Sequence, residues 1–345
     1  MPVYNGARFL PRSLKALAAS SYPAFELIVV DDCSTDNSVE IARKKGATVF
    51  HTASQSGPSA ARNLGAEKAS GTILFFVDAD VVVQPGAIER VVTDFRENPE
   101  IDALFGSYDD DPAEKNFISQ YKNLFHHFVH QQSSREAVSF WSGCGAVRRE
   151  VFLAVGGFDA ERFPRAIEDI ELGYRLRSNG HRILLDKGLQ GKHLKEWRLK
   201  SWLYEDIFRR AVPWSNLILE SKGLVNDLNL RTADRLSAML VALSLAILPF
   251  SLLRPSLLFI IPLLLGLIPI LNHRLYLFFL QRKGLWFAIL AFPLHVSYYL
   301  YSGITFVLCW IKHFFQSRQV ATLKEVTIWW LLYTEQMGGS SLVYI

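Results

Sequence analysis

The feature that most constrains the fold is an apolar run that ends directly in two carboxylates. Residues Ile73–Val77 are uncharged and rich in β-branched and aromatic side chains, and Asp78, Ala79 and Asp80 follow at once. Such a run predicts a buried strand. Carboxylates at the carboxyl end of a strand in an alternating α/β protein lie where such sheets bind their ligands. Two carboxylates one residue apart can hold a hard divalent cation, and the alternative is a strand followed by an acidic turn.

Three fragments upstream also combine a strand end or helix start with polar residues. Residues 2–6, Pro-Val-Tyr-Asn-Gly, predict a strand end and a turn. Leu27–Val30 predicts a second short strand, and Asp31-Asp32 follows it. Residues 57–63, Gly-Pro-Ser-Ala-Ala-Arg-Asn, open a helix and place Arg62 and backbone N–H groups near a bound anion. Each fragment alone also fits a turn or a helix cap, but four successive strand-to-helix junctions favour a ligand site.

Taken in order, these motifs resemble the inverting family 2 glycosyltransferases of the GT-A fold. The resemblance covers roughly residues 1–215 and includes Val-Asp-Asp-Cys-Ser-Thr-Asp at residues 30–36. It implies an α/β domain with a Rossmann-like mixed sheet, a nucleotide-diphosphate sugar as donor, Mg²⁺ or Mn²⁺ as cofactor, and inversion at the anomeric carbon. Cys33 departs from the pattern, since the family usually carries Gly or Asn there; this alters the local turn but removes no ligand.

The resemblance also implies roles for individual residues. Asp32 binds the base of the nucleotide, Asp78 lies near the ribose and the metal, and Asp80 coordinates the metal. The implied donor-binding set is Pro2, Tyr4, Asn5, Asp32, Arg62 and Asp78.

Two acids in the second half of the domain are candidates for the catalytic base. Glu168 and Asp169 precede an apolar pattern at helical spacing, which places them at a helix N-terminus. One interpretation is that they stabilise the helix dipole. The other is that one of them removes the proton of the acceptor hydroxyl. Since the second residue of this pair usually acts as base in the family, Asp169 is preferred over Glu168.

The histidines and cations that follow carry weaker signals. His193 is either a packing residue or, by the resemblance, a further metal ligand. Arg209-Arg210 and Trp214 match the motif of processive relatives poorly, so a long-chain polysaccharide synthase is not favoured, although cations here can stabilise a leaving diphosphate. His126 and His130 share a helix face as a zinc site requires, but no Cys or acidic partner lies nearby in sequence, and we expect a structural helix.

Long apolar runs after Asp234 predict membrane helices. Leu236–Leu253, Leu257–Leu271 and Leu285–Ile311 contain no charged residue, and a span needs about 20 apolar residues. The second run is short and holds two prolines, which favours a kinked or interfacial helix. We predict a catalytic domain at 1–215, a juxtamembrane linker or helix at 216–234, a membrane region of two or three helices at 235–311, and a tail at 312–345.

The donor and the charge pattern predict the location. Because nucleotide sugars are cytosolic, the domain should face the cytosol from a bacterial-type inner or plasma membrane, and the basic residues between the second and third runs agree with a cytosolic loop. Basic residues in the tail conflict with three complete spans, so the number of spans stays open. The net charge of +4 is too small to favour nucleic acid and suits an anionic lipid surface better.

Three functions are compatible with this pattern. The first is a membrane-bound glycosyltransferase whose acceptor is lipid-linked or a membrane-proximal glycan. The second is a polyprenyl-phosphate glycosyl synthase, which differs only in its acceptor. The third is a non-catalytic membrane scaffold with a decayed transferase domain. Retention of Asp32, Asp78, Asp80 and Asp169 favours an enzyme, since decay should strike these positions freely.

The start of the chain is unusual for the family. Family members reach Pro-Val-Tyr-Asn through a hydrophobic strand at the centre of the sheet, whereas here Met1 stands directly before Pro2. We therefore expect the first strand to be missing, and we expect sequence upstream of Met1 to encode, in frame, a short β-branched run that completes it. A central strand that is lost leaves the backbone groups of its neighbours unpaired.

Overall fold

The computed structural model describes residues 1–221 and 231–336, with side chains placed through Gln316. Strands and helices alternate in the N-terminal part, and the described C-terminal residues carry no strand. The strands are β1 (Pro2–Val3), β2 (Ile28–Asp31), β3 (Thr48–His51), β4 (Ile73–Val77), β5 (Val81–Val83), β6 (Ala103–Tyr108), β7 (Glu136–Ala137), β8 (Cys144–Arg148) and β9 (Ile183–His193).

The helices of the N-terminal part connect these strands and lie over them. They are α1 (Leu10–Ala18), α2 (Ser38–Lys44), α3 (Pro58–Lys68), α4 (Ala87–Glu97), α5 (Phe117–Gln132), α6 (Arg149–Ala154), α7 (Glu168–Ser178), α8 (Leu199–Tyr204) and α9 (Val212–Glu220), with a π-helical turn at Glu205–Ala211 between the last two. The predicted domain boundary at residue 215 lies within α9, and the predicted division of the chain stays a prediction.

Local sequence accounts for several of these elements. β4 has the bounds predicted from its apolar run, Ile73–Val77. In α1, Leu10, Leu14 and Leu17 recur at helical spacing and all three are buried. Gly57 precedes α3 with a φ of 90°, and a Cβ there would lie 2.2 Å from the carbonyl oxygen of Pro164. Only glycine therefore fits at the start of this helix.

The strands form two sheets. β1, β2 and β3 pair in parallel in that order. The second sheet has the order β4-β8-β6-β9-β5, with β7 paired to β9. In this sheet β6 and β9 are parallel, whereas the other pairs are antiparallel. The sheet is therefore mixed, as predicted.

The first strand is present but has only two residues. It pairs with β2 through hydrogen bonds from the Val30 N–H to the Met1 carbonyl, at 2.9 Å, and from the Asp32 N–H to the Val3 carbonyl, at 2.8 Å. Within the described residues β1 has no partner on its other side. A cavity of about 490 Å³ is lined by residues of both β2 and β4. The longer strand expected upstream stays a prediction.

The C-terminal helices include two that are long and apolar enough to cross a membrane, Thr232–Ser251 and Leu285–Gln316. A third candidate is a pair of helices bent by 74° at a break between Leu271 and His273. The elements are α10 (Thr232–Ser251), a 3₁₀ turn (Pro255–Phe259), α11 (Ile260–Leu271), α12 (His273–Lys283) and α13 (Leu285–Gln336). Much of the predicted linker, residues 222–230, and the last nine residues of the predicted tail lie outside the described residues.

The apolar helices pack directly on the α/β part. One buried cluster joins Tyr121 and Phe125 of α5 to Phe279 of α12 and Tyr301 of α13. Asp206, in the π-helical turn, accepts hydrogen bonds from Tyr301 Oη at 2.8 Å and from Trp202 Nε1 at 2.8 Å. The two parts of the chain therefore share one buried interface.

Candidate active site

The predicted acidic residues meet at one edge of the second sheet. Asp78 follows β4, and its N–H donates to the Gly143 carbonyl at 3.2 Å. The neighbouring residue, Ser142, donates its N–H to Asp169 Oδ2 at 3.2 Å. Two adjacent residues before β8 thus hold the turn after β4 and the start of α7 next to each other. The strand-end carboxylate and the predicted base belong to one site.

Arg62 connects the two halves of this site. Its Nη2 lies 2.7 Å from Asp78 Oδ1, and its Nη1 lies 2.7 Å from Glu168 Oε1. The side chain is buried and its guanidinium lies 5.5 Å from the centre of the Phe158 ring. Burial alone would lower the pKa of Arg62, but the two carboxylates outweigh it and raise this pKa. The two terminal nitrogens of the guanidinium contact different carboxylates, so Arg62 links α7 to the turn after β4. Its predicted contact with the donor stays a prediction.

Glu168 and Asp169 have different surroundings. Glu168 is buried, and no described residue donates a hydrogen bond to its Oε2. Burial and the charge of Asp169 raise the pKa of Glu168 to about 7, although Arg62 opposes them. Asp169 is partly exposed, and burial also raises its pKa against the effect of Arg62 and the Ser142 N–H. Of the two carboxylates, Asp169 is the one that is partly accessible to solvent.

Asp32 organises the loop in front of α3. Its Oδ1 accepts hydrogen bonds from Thr52 Oγ1 at 2.9 Å and the Ser56 N–H at 2.8 Å, and its Oδ2 accepts from the Gly57 N–H at 2.8 Å. A carboxylate has about four acceptor positions. One acceptor position on Oδ2 has no partner among the described residues, and Asp32 is buried. The predicted contact of Asp32 with the base stays a prediction.

The other predicted donor-binding residues lie around β1. Pro2 is buried within the strand, whereas Tyr4 and Asn5 are exposed in the loop that follows. Asn5 Oδ1 accepts a hydrogen bond from the Thr35 N–H at 2.8 Å, and the Asn5 N–H donates to Ser34 Oγ at 2.9 Å. These bonds join the loop after β1 to the loop after β2, so Asn5 and Asp32 stand on connected loops.

Backbone strain is concentrated at the predicted site. Among the described residues, the non-glycine residues with positive φ are Asn5 (48°), Cys33 (67°) and Ile167 (59°). Cys33 follows Asp32, and Ile167 precedes Glu168. A β-branched residue in this region is an outlier. Such strain persists only where surrounding structure enforces it, and it is typical of functional loops. The family's usual Gly or Asn at position 33 suits this φ better than cysteine does.

His193 faces Asp80 across a strand pair. The register of β5 and β9 sets His193 opposite Val81, and the Leu194 N–H donates to the Asp80 carbonyl at 2.8 Å. His193 Nε2 consequently lies 3.4 Å from Asp80 Oδ2. Burial works against ionisation of Asp80, but the adjacent His193 outweighs it and holds the pKa of Asp80 below its ordinary value.

The residues around Asp80 are compatible with a divalent cation. The Asp80 side chain is 23% exposed, and it has a neighbouring imidazole nitrogen close enough to share one ion. The described residues contain no group of three or more His, Cys, Asp and Glu side chains arranged to hold a metal. A cation bound by two protein side chains keeps coordination positions for the phosphates of a nucleotide, and Mg²⁺ is commonly bound in this way. His126 and His130 both lie in α5, in agreement with the expected helix.

Tyr108 was not identified from the sequence. Its ring stacks on His193 with centroids 4.4 Å apart and meets Trp141 edge-on at 4.8 Å. Burial, followed by the charges of Asp80 and Asp78, raises the pKa of Tyr108 well above its ordinary value. Tyr108 is the last residue of β6. Its position at a strand end is the signal by which it could have been predicted as a site residue.

The cations after β9 have acidic partners close in sequence. Arg209 Nη1 lies 3.0 Å from Glu205, and Arg210 Nη1 lies 3.8 Å from Asp206. Trp214 Nε1 donates to Tyr174 Oη at 3.2 Å. The Arg210 side chain is 48% exposed, and its charge acts on Asp169 and Tyr108. Of the two arginines, Arg210 is the more exposed, and its charge opposes the rise that burial causes in the pKa of Asp169.

Residues 1–156 match the family model described as glycosyl transferase family 2. An uncharacterized glycosyltransferase of Haemophilus influenzae is 27% identical over 183 residues, which is 51% of this chain and 60% of that protein. Another uncharacterized glycosyltransferase of the same organism is 39% identical over 95 residues, or 26% of this chain and 38% of that protein. The chain thus spans less than two thirds of the length of these curated relatives.

A solved structure shares the architecture. The mannosyltransferase PcManGT from Pyrobaculum calidifontis, in complex with GDP-Man and Mn²⁺, aligns with a TM-score of 0.53 at 17% identity, over 89% of this chain and 84% of that one. At this identity the likeness shows the fold alone. The aligned region covers 89% of this chain and therefore extends beyond the α/β part. Residues 1–156 are therefore similar to glycosyl transferase family 2, and the chain shares a GT-A-like α/β architecture with this mannosyltransferase structure.

Proposed function

We propose that this protein is a membrane-bound, metal-dependent, inverting glycosyltransferase. It moves a sugar from a nucleotide-diphosphate sugar to a lipid-linked or membrane-proximal acceptor. The observation that carries the proposal is the arrangement of Asp78 and Asp80 after β4 beside the Glu168-Asp169 pair, with Arg62 between them. One edge of the sheet thus offers a place for a charged donor and a carboxylate for the acceptor.

Asp169 acts as the general base. It takes the proton of the acceptor hydroxyl while that oxygen forms a bond to the anomeric carbon. The bond between this carbon and the diphosphate breaks, and the nucleoside diphosphate leaves with the electron pair. A single displacement of this kind inverts the configuration. The accessibility of Asp169, compared with the buried Glu168 and its bond to Arg62, supports this assignment.

The donor lies between Asp32 and Asp80. Asp32 has one unfilled acceptor position for a ring N–H of the base, and the exposed Tyr4 and Asn5 lie on the loop bonded to the loop after Asp32. Asp80 and His193, whose Oδ2 and Nε2 lie 3.4 Å apart, would hold Mg²⁺ or Mn²⁺, with Asp78 two residues before Asp80. The cation supplies charge stabilisation of the leaving diphosphate. Arg210, half-exposed and near Asp169, supports the same negative charge from the chain itself.

The apolar helices support a lipid-linked or membrane-proximal acceptor. α10 and α13 are long and apolar enough to cross a membrane, and α13 packs on the α/β part through Tyr301 and Asp206. This packing supports a catalytic domain that lies against the membrane, on the cytosolic side where nucleotide sugars occur. Arg282 of α12 pairs with Asp110 at 2.5 Å, which keeps this basic end beside the domain. A polyprenyl phosphate is the alternative acceptor, and only the transfer product distinguishes it from a lipid-linked or membrane-proximal glycan.

A donor screen tests the function. Membranes that carry the full chain are supplied with single nucleotide sugars and Mn²⁺ or Mg²⁺, and transfer to lipid and to glycan fractions is measured separately. We expect transfer from one donor, with an inverted anomeric configuration by NMR. Asp169→Asn should lower turnover by roughly 10²–10⁴-fold with donor affinity nearly unchanged.

The matched control is Glu171→Gln, on the same helix, where the carboxylate pairs with Arg175 and not with the site. This variant should keep most of the activity. If the wild-type protein transfers no sugar from any donor, the enzyme function is refuted and the non-catalytic membrane scaffold is favoured. Transfer confined to the lipid fraction would assign the polyprenyl-phosphate synthase.

A further inference from the structure

Asn123 determines how His193 presents its ring. Asn123 lies in α5 and is 1% exposed, and its Oδ1 is 2.8 Å from His193 Nδ1. An amide oxygen only accepts hydrogen bonds, so Nδ1 carries the proton in this pair. In a neutral imidazole the other nitrogen, Nε2, then has the free lone pair. Nε2 is the atom that faces Asp80 Oδ2 at 3.4 Å.

The His193 ring is also fixed from its face. Tyr108 stacks on it with an interplanar angle of 11°, and Trp197 lies 6.3 Å away. The histidine is 4% exposed. Stacking fixes the plane of the ring, and the bond to Asn123 fixes which edge faces Asp80. Together they hold one nitrogen toward the carboxylate that is proposed to bind the cation.

Packing alone does not account for an asparagine at this place. Asn123 Nδ2 is buried, and within the described part of the chain it has no hydrogen-bond partner. A buried donor without a partner costs roughly 1–3 kcal/mol. A leucine in the middle of α5 would avoid that cost. The asparagine therefore keeps a contact that a leucine cannot make, the one to His193.

We propose that Asn123 is a positioning residue for the divalent cation. It holds His193 in the tautomer whose Nε2 lone pair is available to the metal at Asp80. Histidine ligands commonly donate their second ring N–H to an acceptor that orients the ring and raises its basicity. Without an acceptor at Nδ1, His193 can place its proton on Nε2 and donate to Asp80, which removes a ligand. The inference rests on the proposed function only in placing the cation at Asp80.

The experiment measures metal binding, with Mn²⁺ alone as the probe. The full chain in detergent is titrated with Mn²⁺ and the free ion is followed by EPR, while pulsed EPR detects coordination by an imidazole nitrogen. Asn123→Leu should weaken Mn²⁺ binding by roughly 10–100-fold and abolish the nitrogen signal. Asn123→Asp, which only accepts, should keep the affinity within about threefold and retain the signal.

Gln120→Leu is the matched control, because Gln120 is a buried amide one turn earlier in α5 that bonds the Glu114 carbonyl and not His193. It should bind Mn²⁺ as the wild type does. Wild-type affinity in Asn123→Leu would overturn the inference. So would an Asn123→Asp variant as weak as Asn123→Leu, since the amide would then be a donor, or a loss in Gln120→Leu equal to that in Asn123→Leu.

The result separates the two proposals. A wild-type protein that shows the predicted pattern of Mn²⁺ binding but transfers no sugar refutes the proposed function and leaves the role of Asn123 intact. A wild-type protein that transfers sugar while Asn123→Leu binds Mn²⁺ normally refutes only the role of Asn123. Absence of Mn²⁺ binding in the wild type, both with Mn²⁺ alone and with UDP or GDP present to supply phosphate ligands, refutes the role of Asn123 and the metal dependence together.

Discussion

Replacement of Arg62 by methionine should destabilise the protein strongly and in a pH-dependent way. Arg62 is 5% exposed and contacts Asp78 and Glu168, each at 2.7 Å. Methionine fills a similar volume but leaves the carboxylates without their cation. Removal of one partner of a buried ion pair costs about 3–5 kcal/mol of stability. We expect a loss of this size at pH 8.5, above the pKa of about 7 that Glu168 has in the folded protein.

The pH dependence follows from Glu168. Its pKa in the folded protein is about 7, above the ordinary value of 4.5, through burial and the charge of Asp169. Without Arg62 this pKa rises further. Between the two values the folded state binds more protons than the unfolded state, so stability falls as pH rises, by up to about 1.4 kcal/mol per pH unit. The cost of Arg62→Met should therefore be smaller at pH 6 than at pH 8.5.

The assay follows urea unfolding of the full chain in detergent by tryptophan fluorescence, at both pH values. Arg182→Met is the control, because Arg182 and Glu100 are half-exposed at 3.5 Å and such pairs contribute about 0–1 kcal/mol. In the double variant Arg62→Met, Glu168→Gln, part of the lost stability should return. The difference between the cost of Arg62→Met at pH 6 and at pH 8.5 that comes from Glu168 should disappear. An Arg62→Met variant that matches the control at both pH values would refute the buried link between the two halves of the site.

Three further predictions concern the metal, the turn at Cys33 and the membrane. Asp80→Asn should abolish transfer while EDTA silences the wild type, and full activity in either case contradicts a metal at Asp80. Cys33→Gly should raise the free energy of unfolding by about 1 kcal/mol, since a left-handed conformation strains any residue with a Cβ; lower stability of this variant in the same urea assay would show that the turn is not strained. The full chain should resist carbonate extraction; release of the intact protein by carbonate would make α10 and α13 peripheral helices.

Short-range patterns in the sequence predicted much of the fold. The bounds of β4, the carboxylates after it and the acids at the start of α7 all follow from runs of a few residues. The apolar runs likewise predicted α10 and α13. Such elements depend on side-chain periodicity and on rules for strand and helix ends, which act within one or two turns of chain.

The tertiary structure decided what the polar side chains do. Arg62 meets Glu168, which lies 106 residues away, and His193 meets Asn123 at a distance of 70 residues. No spacing in the sequence encodes these pairs, because they arise from strand order and from the packing of α3 and α5 on the sheets. Asn123, inside an ordinary amphipathic helix, gave no signal at all. The sequence alone determined which side chains lie at the sheet edge, because the residues that end a strand are set by the sequence within a few positions. Long-range packing determined which atoms of those side chains face a ligand.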